Sequence, residues 1–115
     1  MTNAADLELI ALADDMDALA AWLRAHGQAS WADRVLGHSR RVRKRIPEGV
    51  IGFLADSGGL SDVYFSPVNG NAASESDGQR LNEELRRLTL RPFERAFELK
   101  HAAMDASGSG HTPRR

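Results

Sequence analysis

Cysteine is absent from this chain of 115 residues, so disulfides, thiolate zinc sites and cysteine nucleophiles are excluded. Aromatic residues are scarce as well, at 6%: four Phe, two Trp and one Tyr. Nowhere do eighteen apolar residues run together, so no membrane-spanning helix is expected. Acidic Asp6 and Glu8 stand where a signal peptide would carry basic residues, which makes the cytoplasm the expected location. Neither sign of charge dominates. Lys and Arg number 15 against 16 Asp and Glu, for a net charge of -1, so the chain as a whole is neither a polybasic nor a polyacidic binder. The length suits one domain, and an apolar share of 42% is ordinary for a globular protein and too high for a disordered one.

What is present is helical periodicity. Leu9, Leu12, Met16, Leu19 and Leu23 recur at intervals of three and four, widened by Ile10, Ala13, Ala20 and Trp22. That spacing places them on one helix face, with Asp14, Asp15 and Asp17 mostly on the solvated side. Asn3 supplies a capping oxygen at the start and Gly27 a left-handed stop at the end, which predicts a helix over 4–26. A second helix is expected over 30–46, capped by Ser30 and ended by Pro47. Trp31, Val35, Val42 and Ile46 would form its inner face, with His38 on the same side and Gly37 allowing close approach of the first helix. So short a connection folds the two back as a hairpin.

Residues 48–55 suit a short helix with Pro47 in its first turn, although a buried strand is the competing reading. Asp56-Ser57-Gly58-Gly59-Leu60-Ser61-Asp62-Val63-Tyr64-Phe65 reads as an irregular glycine-bearing crossing, and residues 66–76 as an exposed loop. Ser76 and Gln79 form a capping-box pattern. A last helix follows over 77–104 on Leu81, Leu85, Leu88, Pro92, Ala96 and Leu99, flanked by Phe93 and Phe97 and kinked or broken by Pro92. The fold class expected is all-α: a small three-helix bundle within a single domain, 1–105, and a flexible tail, 106–115.

Few constellations carry chemistry. Arg40, Arg41, Arg43, Lys44 and Arg45 form a basic cluster with a phosphate-binding reading, because cations displace counterions from nucleic acid. The alternative is structural: cations complement a helix C-terminus, and Arg41 and Arg45 would lie beside Asp6 and Glu8 of an antiparallel first helix. Asp56 and Asp62 bracket the glycines without the ligand order of a calcium loop, and Gly58-Gly59 lacks the ending of a phosphate loop. His26, His38, His101 and His111 show no metal-ligand spacing, so no metal and no cofactor is expected. His38 reads as a hydrogen-bonded core or boundary residue. Any Ser-His-Asp set assembled from Ser57 or Ser61, His38 and Asp62 lacks a nucleophile elbow, so no enzymatic activity is expected.

Gly58-Gly59-Leu60-Ser61-Asp62-Val63, Asn69-Gly70 and Leu81-Asn82-Glu83-Glu84-Leu85 together resemble a family of small uncharacterised bacterial proteins. That family pairs two N-terminal helices with a Gly-Gly-x-x-Ser-x-Asp-Asp type turn, an Asn-Gly and a helix bearing an asparagine. The turn here is shorter and keeps only Asp62 of the paired polar residues. The resemblance implies an architecture and no established activity. Taken together, these readings point to a non-enzymatic protein-interaction module of immunity or accessory type. Its candidate partner-binding residues are Trp22, Trp31, Asp56, Asp62 and Tyr64, with Trp22 and Trp31 as exposed anchors beside charges. Nucleic-acid binding through the basic cluster is the alternative.

Overall fold

A computed structural model describes residues 4–109 as four helices: α1 (Ala4–Ala25), α2 (Ala29–Arg43), α3 (Pro47–Leu60) and α4 (Glu75–Ser109). No strand occurs among the described residues, so residues 48–55 take the helical alternative. Asn3 lies outside the described residues, as do 110–115 of the expected tail, His111 included. α1 and α3 each pack on both α2 and α4, and the diagonal pairs do not meet among the described residues. Contacts of Arg24 with Asp33 and Asp14 with Arg43 between α1 and α2, Gly49 with Val42 and Gly59 with Trp31 between α3 and α2, and Trp22 with Glu84 and Asp15 with Arg95 between α1 and α4 run in opposite senses, so each of these pairs is antiparallel. α3 therefore runs with α1 and against α4, and its end, with the turn to Tyr64, lies beside Asn82–Phe93 in the middle of α4.

The core follows from the α1 stripe. Leu12, Met16, Leu19 and Leu23 are fully buried and meet Val35, Val42, Phe53, Leu60, Phe65, Leu81 and Leu85 from the other elements. Ile10 and Ile46, both expected inside, are exposed instead. Ser39 takes an inner position on α2, its hydroxyl 2.6 Å from Asp17 Oδ1 and 3.3 Å from the Ala13 carbonyl oxygen.

Three boundaries differ from expectation, each for a local reason. Neither Ser30 nor Ser76 caps its helix. α2 begins after Gln28 without a side-chain cap, and Ser74 Oγ accepts the Asp77 N–H at 3.1 Å at the head of α4. Pro92 does not break α4, which continues unbroken to Ser109, past the expected boundary at 105. Buried against the core, Pro92 forfeits one backbone donor, and packing on both sides holds the helix through it.

The largest correction concerns α3. The expected three-helix bundle is a four-helix one, because Asp56–Leu60 belongs to a helix of 14 residues. Its glycines serve packing. A Cβ on Gly49 would lie 2.6 Å from the Val42 backbone nitrogen, one on Gly52 2.7 Å from the His38 ring, and one on Gly59 2.6 Å from Trp31. At steps of three, four and three, Gly49, Gly52, Asp56 and Gly59 form one face that lets α2 come close. Gly37, the expected point of close approach, meets only its own helix's Arg41.

Candidate functional site

Beyond α3 the chain turns back over the bundle, and three asparagines hold it. Asn82 Nδ2 donates to the Phe65 carbonyl at 3.0 Å while its Oδ1 accepts the Phe65 N–H at 2.7 Å. Asn71 accepts the Ser66 N–H and donates to the Tyr64 carbonyl, which also receives Asn69 Nδ2. Gly70 supplies the left-handed turn, φ +76. So anchored, Phe65 is driven into the core, edge-on to Trp22 at 5.5 Å between ring centres. Its neighbour Tyr64 is left outside, 60% exposed.

The consequence is a groove of about 440 Å³ between the end of α3 and the middle of α4. Ser57, Gly58, Leu60 and Ser61 form one wall, Val63 and Tyr64 the end, and Asn82, Leu85, Arg86, Thr89, Leu90 and Phe93 the other wall. Three aliphatic hydroxyls suggest a polar lining, but their hydrogens are already used. Ser57 donates to the Leu54 carbonyl at 2.7 Å, Ser61 to Gly58 at 2.7 Å and Thr89 to Leu85 at 2.8 Å. Asn82 is committed to Phe65. A guest therefore meets mainly carbon, and Tyr64, Arg86 and the second Nδ2 hydrogen of Asn82 are the side-chain donors left to offer. Past the groove the apolar surface continues along α4, where Leu90 and Phe97 are about half exposed and Phe97 lies between Phe93 and His101.

The expected site residues are scattered by the fold. Trp22 is half-buried, stacked on His26 at 4.0 Å, and donates from Nε1 to Glu84 at 3.1 Å. That bond, with the Arg80 charge, holds the Glu84 carboxyl below its ordinary range. Trp31 is half-buried over Gly59, with Arg34 above its ring at 5.2 Å. Neither indole is the exposed anchor expected from the sequence. Asp56 faces α2 and not the groove, accepting from Arg34 at 2.8 and 3.2 Å and from His38 Nε2 at 2.7 Å. Burial pushes the Asp56 carboxyl up, but the bonds and charges of Arg34 and His38 outweigh it and hold the pKa below the ordinary value. His38 is thus the hydrogen-bonded boundary residue expected, with Nδ1 buried and unpartnered among the described residues. Asp62 is exposed and, of the five, Tyr64 alone lines the groove.

The basic cluster divides. Arg43 bonds Asp14 at 2.8 Å and Asp17 at 2.6 Å, and Arg45 bonds Asp6 at 2.8 Å. These carboxylates hold both guanidiniums more firmly protonated than usual. Glu8 turns instead to Arg95 of α4, which also reaches Asp15. The aspartates expected on a solvated face thus tie α1 to both neighbours. Arg40, Arg41 and Lys44 make no ion pair among the described residues and are exposed. Sequence reasoning missed the groove because Leu90 and Phe97 look like the margin of one stripe. The available signal was that α4 carries more apolar positions than one buried face needs. Compared with known proteins, the chain matches no family model, no curated protein and no solved structure.

Proposed function

We propose that this chain is a non-enzymatic protein-interaction module that docks a partner through the α3/α4 groove. The observation that carries the reading is the groove's chemistry: a concave, largely carbon-lined surface whose serine and threonine hydroxyls are spent internally, continued by half-exposed Leu90 and Phe97. Such a surface gains free energy by burial against another apolar surface, at about 25 cal/mol per Å². Helix-in-groove recognition is the mode that an extended apolar trough between two helices fits. An immunity or accessory role, by analogy with other small helical proteins of this size and shape, is one setting for such a module.

A photo-crosslinking residue at Tyr64 tests this. It should capture a protein partner that a crosslinker at Arg40 does not, and Leu90→Glu should abolish the capture. Equal capture from Arg40, or capture indifferent to Leu90→Glu, would contradict the reading. Nucleic-acid binding is the second reading, favoured by the exposure of Arg40, Arg41 and Lys44. Arg43 and Arg45 are engaged with aspartates, so three cations remain for phosphates. The dependence of log K on log salt for duplex DNA should then be no steeper than about -3.

A further inference from the structure

Deepening the docking reading, on which it rests, we infer that the groove's partner is an amphipathic helix of about four turns with acidic residues near both ends. Arg86, Leu90, Phe93, Phe97 and Lys100 follow one another along α4 at steps of four, three, four and three. That alternation averages 3.5 residues. It is the spacing at which one helix presents a seam of knobs to another, and a flat or irregular partner would not match it. The seam is unoccupied by the bundle's own helices over much of its length. Leu90 is 49% and Phe97 47% exposed, and Arg86 and Lys100 are exposed at its two ends.

The ends set the partner's charge. Arg86 and Lys100 are 14 residues apart, about 21 Å along the helix axis. Lys100 makes no ion pair among the described residues, and Arg86 has only a loose i,i+3 pair with Glu83 at 3.7 Å, both side chains so exposed that solvent leaves it weak. Glu94, four residues after Leu90 and three before Phe97, flanks the seam at its middle, while Glu98 lies further round the helix, so neither acid stands at the seam's ends. A guest helix spanning the seam therefore meets carbon in the middle and a cation at each end, which suits carboxylates spaced about 14 residues apart. A second copy of this chain fits less well. Phe93 is the midpoint of the seam, so two-fold antiparallel pairing about it would set Arg86 against Lys100 twice.

The test is selection from a displayed library of 18-residue helical peptides against the whole chain, with labelled winners measured by fluorescence anisotropy. The expected winners are apolar at a 3.5-residue period with Asp or Glu near both ends. Leu90→Glu should weaken them at least tenfold, as should Arg86→Glu combined with Lys100→Glu. The latter pair should restore binding to the same peptides carrying Lys at their ends. Phe97→Glu is the companion variant, and circular dichroism checks that each variant remains helical. Winners that lose binding on Leu90→Glu yet carry neutral or basic ends would overturn the acidic helix and leave the docking reading standing. Failure to recover any winner, or winners indifferent to both Leu90→Glu and Phe97→Glu, would overturn both. Dimerisation of the free chain at micromolar concentration, abolished by Leu90→Glu, would overturn the acidic partner in favour of a second copy.

Discussion

Replacing Gly49 by alanine and, separately, Gly58 by alanine should move stability in opposite directions. Both glycines lie inside α3, where alanine is favoured by up to about 1 kcal/mol because it restricts the unfolded chain. A Cβ on Gly58 meets nothing within 4 Å, so that gain should appear nearly whole. On Gly49 the added carbon would sit 2.6 Å from the Val42 backbone nitrogen and 2.9 Å from the His38 carbonyl oxygen. Ordinary contact needs about 1 Å more, and neither atom belongs to a movable side chain, so α2 and α3 must separate. Overpacking of this kind costs about 1–3 kcal/mol, and the separation also loosens the bonds of Arg34 and His38 to Asp56. The helix-propensity gain is common to both, so the two variants should differ by the overpacking cost, about 2 kcal/mol. With a urea slope of about 1.5 kcal/mol/M, their midpoints should stand about 1.3 M apart. Gly59→Ala should fall between them, because the obstacle there is the Trp31 ring, which can turn. Equal midpoints for the Gly49 and Gly58 variants would refute the close approach of α3 to α2.

Three further outcomes follow from the same contacts. Asp56→Asn should cost about 1–2 kcal/mol at pH 7 in urea melts, more than a surface pair and less than a dry one because solvent screens the exposed Arg34. The Asp56 pKa is lowered by folding, so its contribution is complete above about pH 4 and lost as pH falls through the lower folded value. Wild type and variant should accordingly converge under acid, and a gap that widens there would refute the assignment. Asn82→Ala leaves the Phe65 N–H and carbonyl without their partners and should cost about 2–3 kcal/mol, with altered Trp22 fluorescence. Stability within about 0.5 kcal/mol of wild type would show that the anchor is dispensable. Arg45 holds φ 60 at the position after α2 that glycine usually takes, and its guanidinium bonds Asp6. Arg45→Ala keeps the strain and loses the bond, whereas Arg45→Gly loses the bond and relieves the strain. The glycine variant should thus melt above the alanine variant, and the reverse order would deny the strain.

The legibility of this chain followed the range of the interactions concerned. The α1 stripe was plain because each of Leu12, Met16, Leu19 and Leu23 repeats at helical spacing and all are buried. Gly27 could be assigned as a stop, since a left-handed φ of +80 is a local property. Gly58 and Gly59 misled, because glycine in sequence looks the same whether it bends the chain or thins a helix. What decided the matter was Trp31 of α2 pressing on Gly59, and no local pattern encodes that contact. The ion pairs were half legible. Arg45 found Asp6 as an antiparallel hairpin requires, but Glu8 was drawn to Arg95 across 87 positions of sequence. The groove was least legible. It exists because Asn82 fixes Phe65 inward and leaves Tyr64 outward, and its apolar character arises only once Ser57, Ser61 and Thr89 turn their hydrogens into their own helices.

The most direct test of the docking claim is an amide chemical-shift map of the labelled chain, titrated with the tightest helical peptide from the selection. Perturbation should concentrate at Ser57–Tyr64 and Asn82–Lys100 and spare Arg40–Lys44. Shifts confined to the α2 terminus, with the groove amides unmoved, would contradict it.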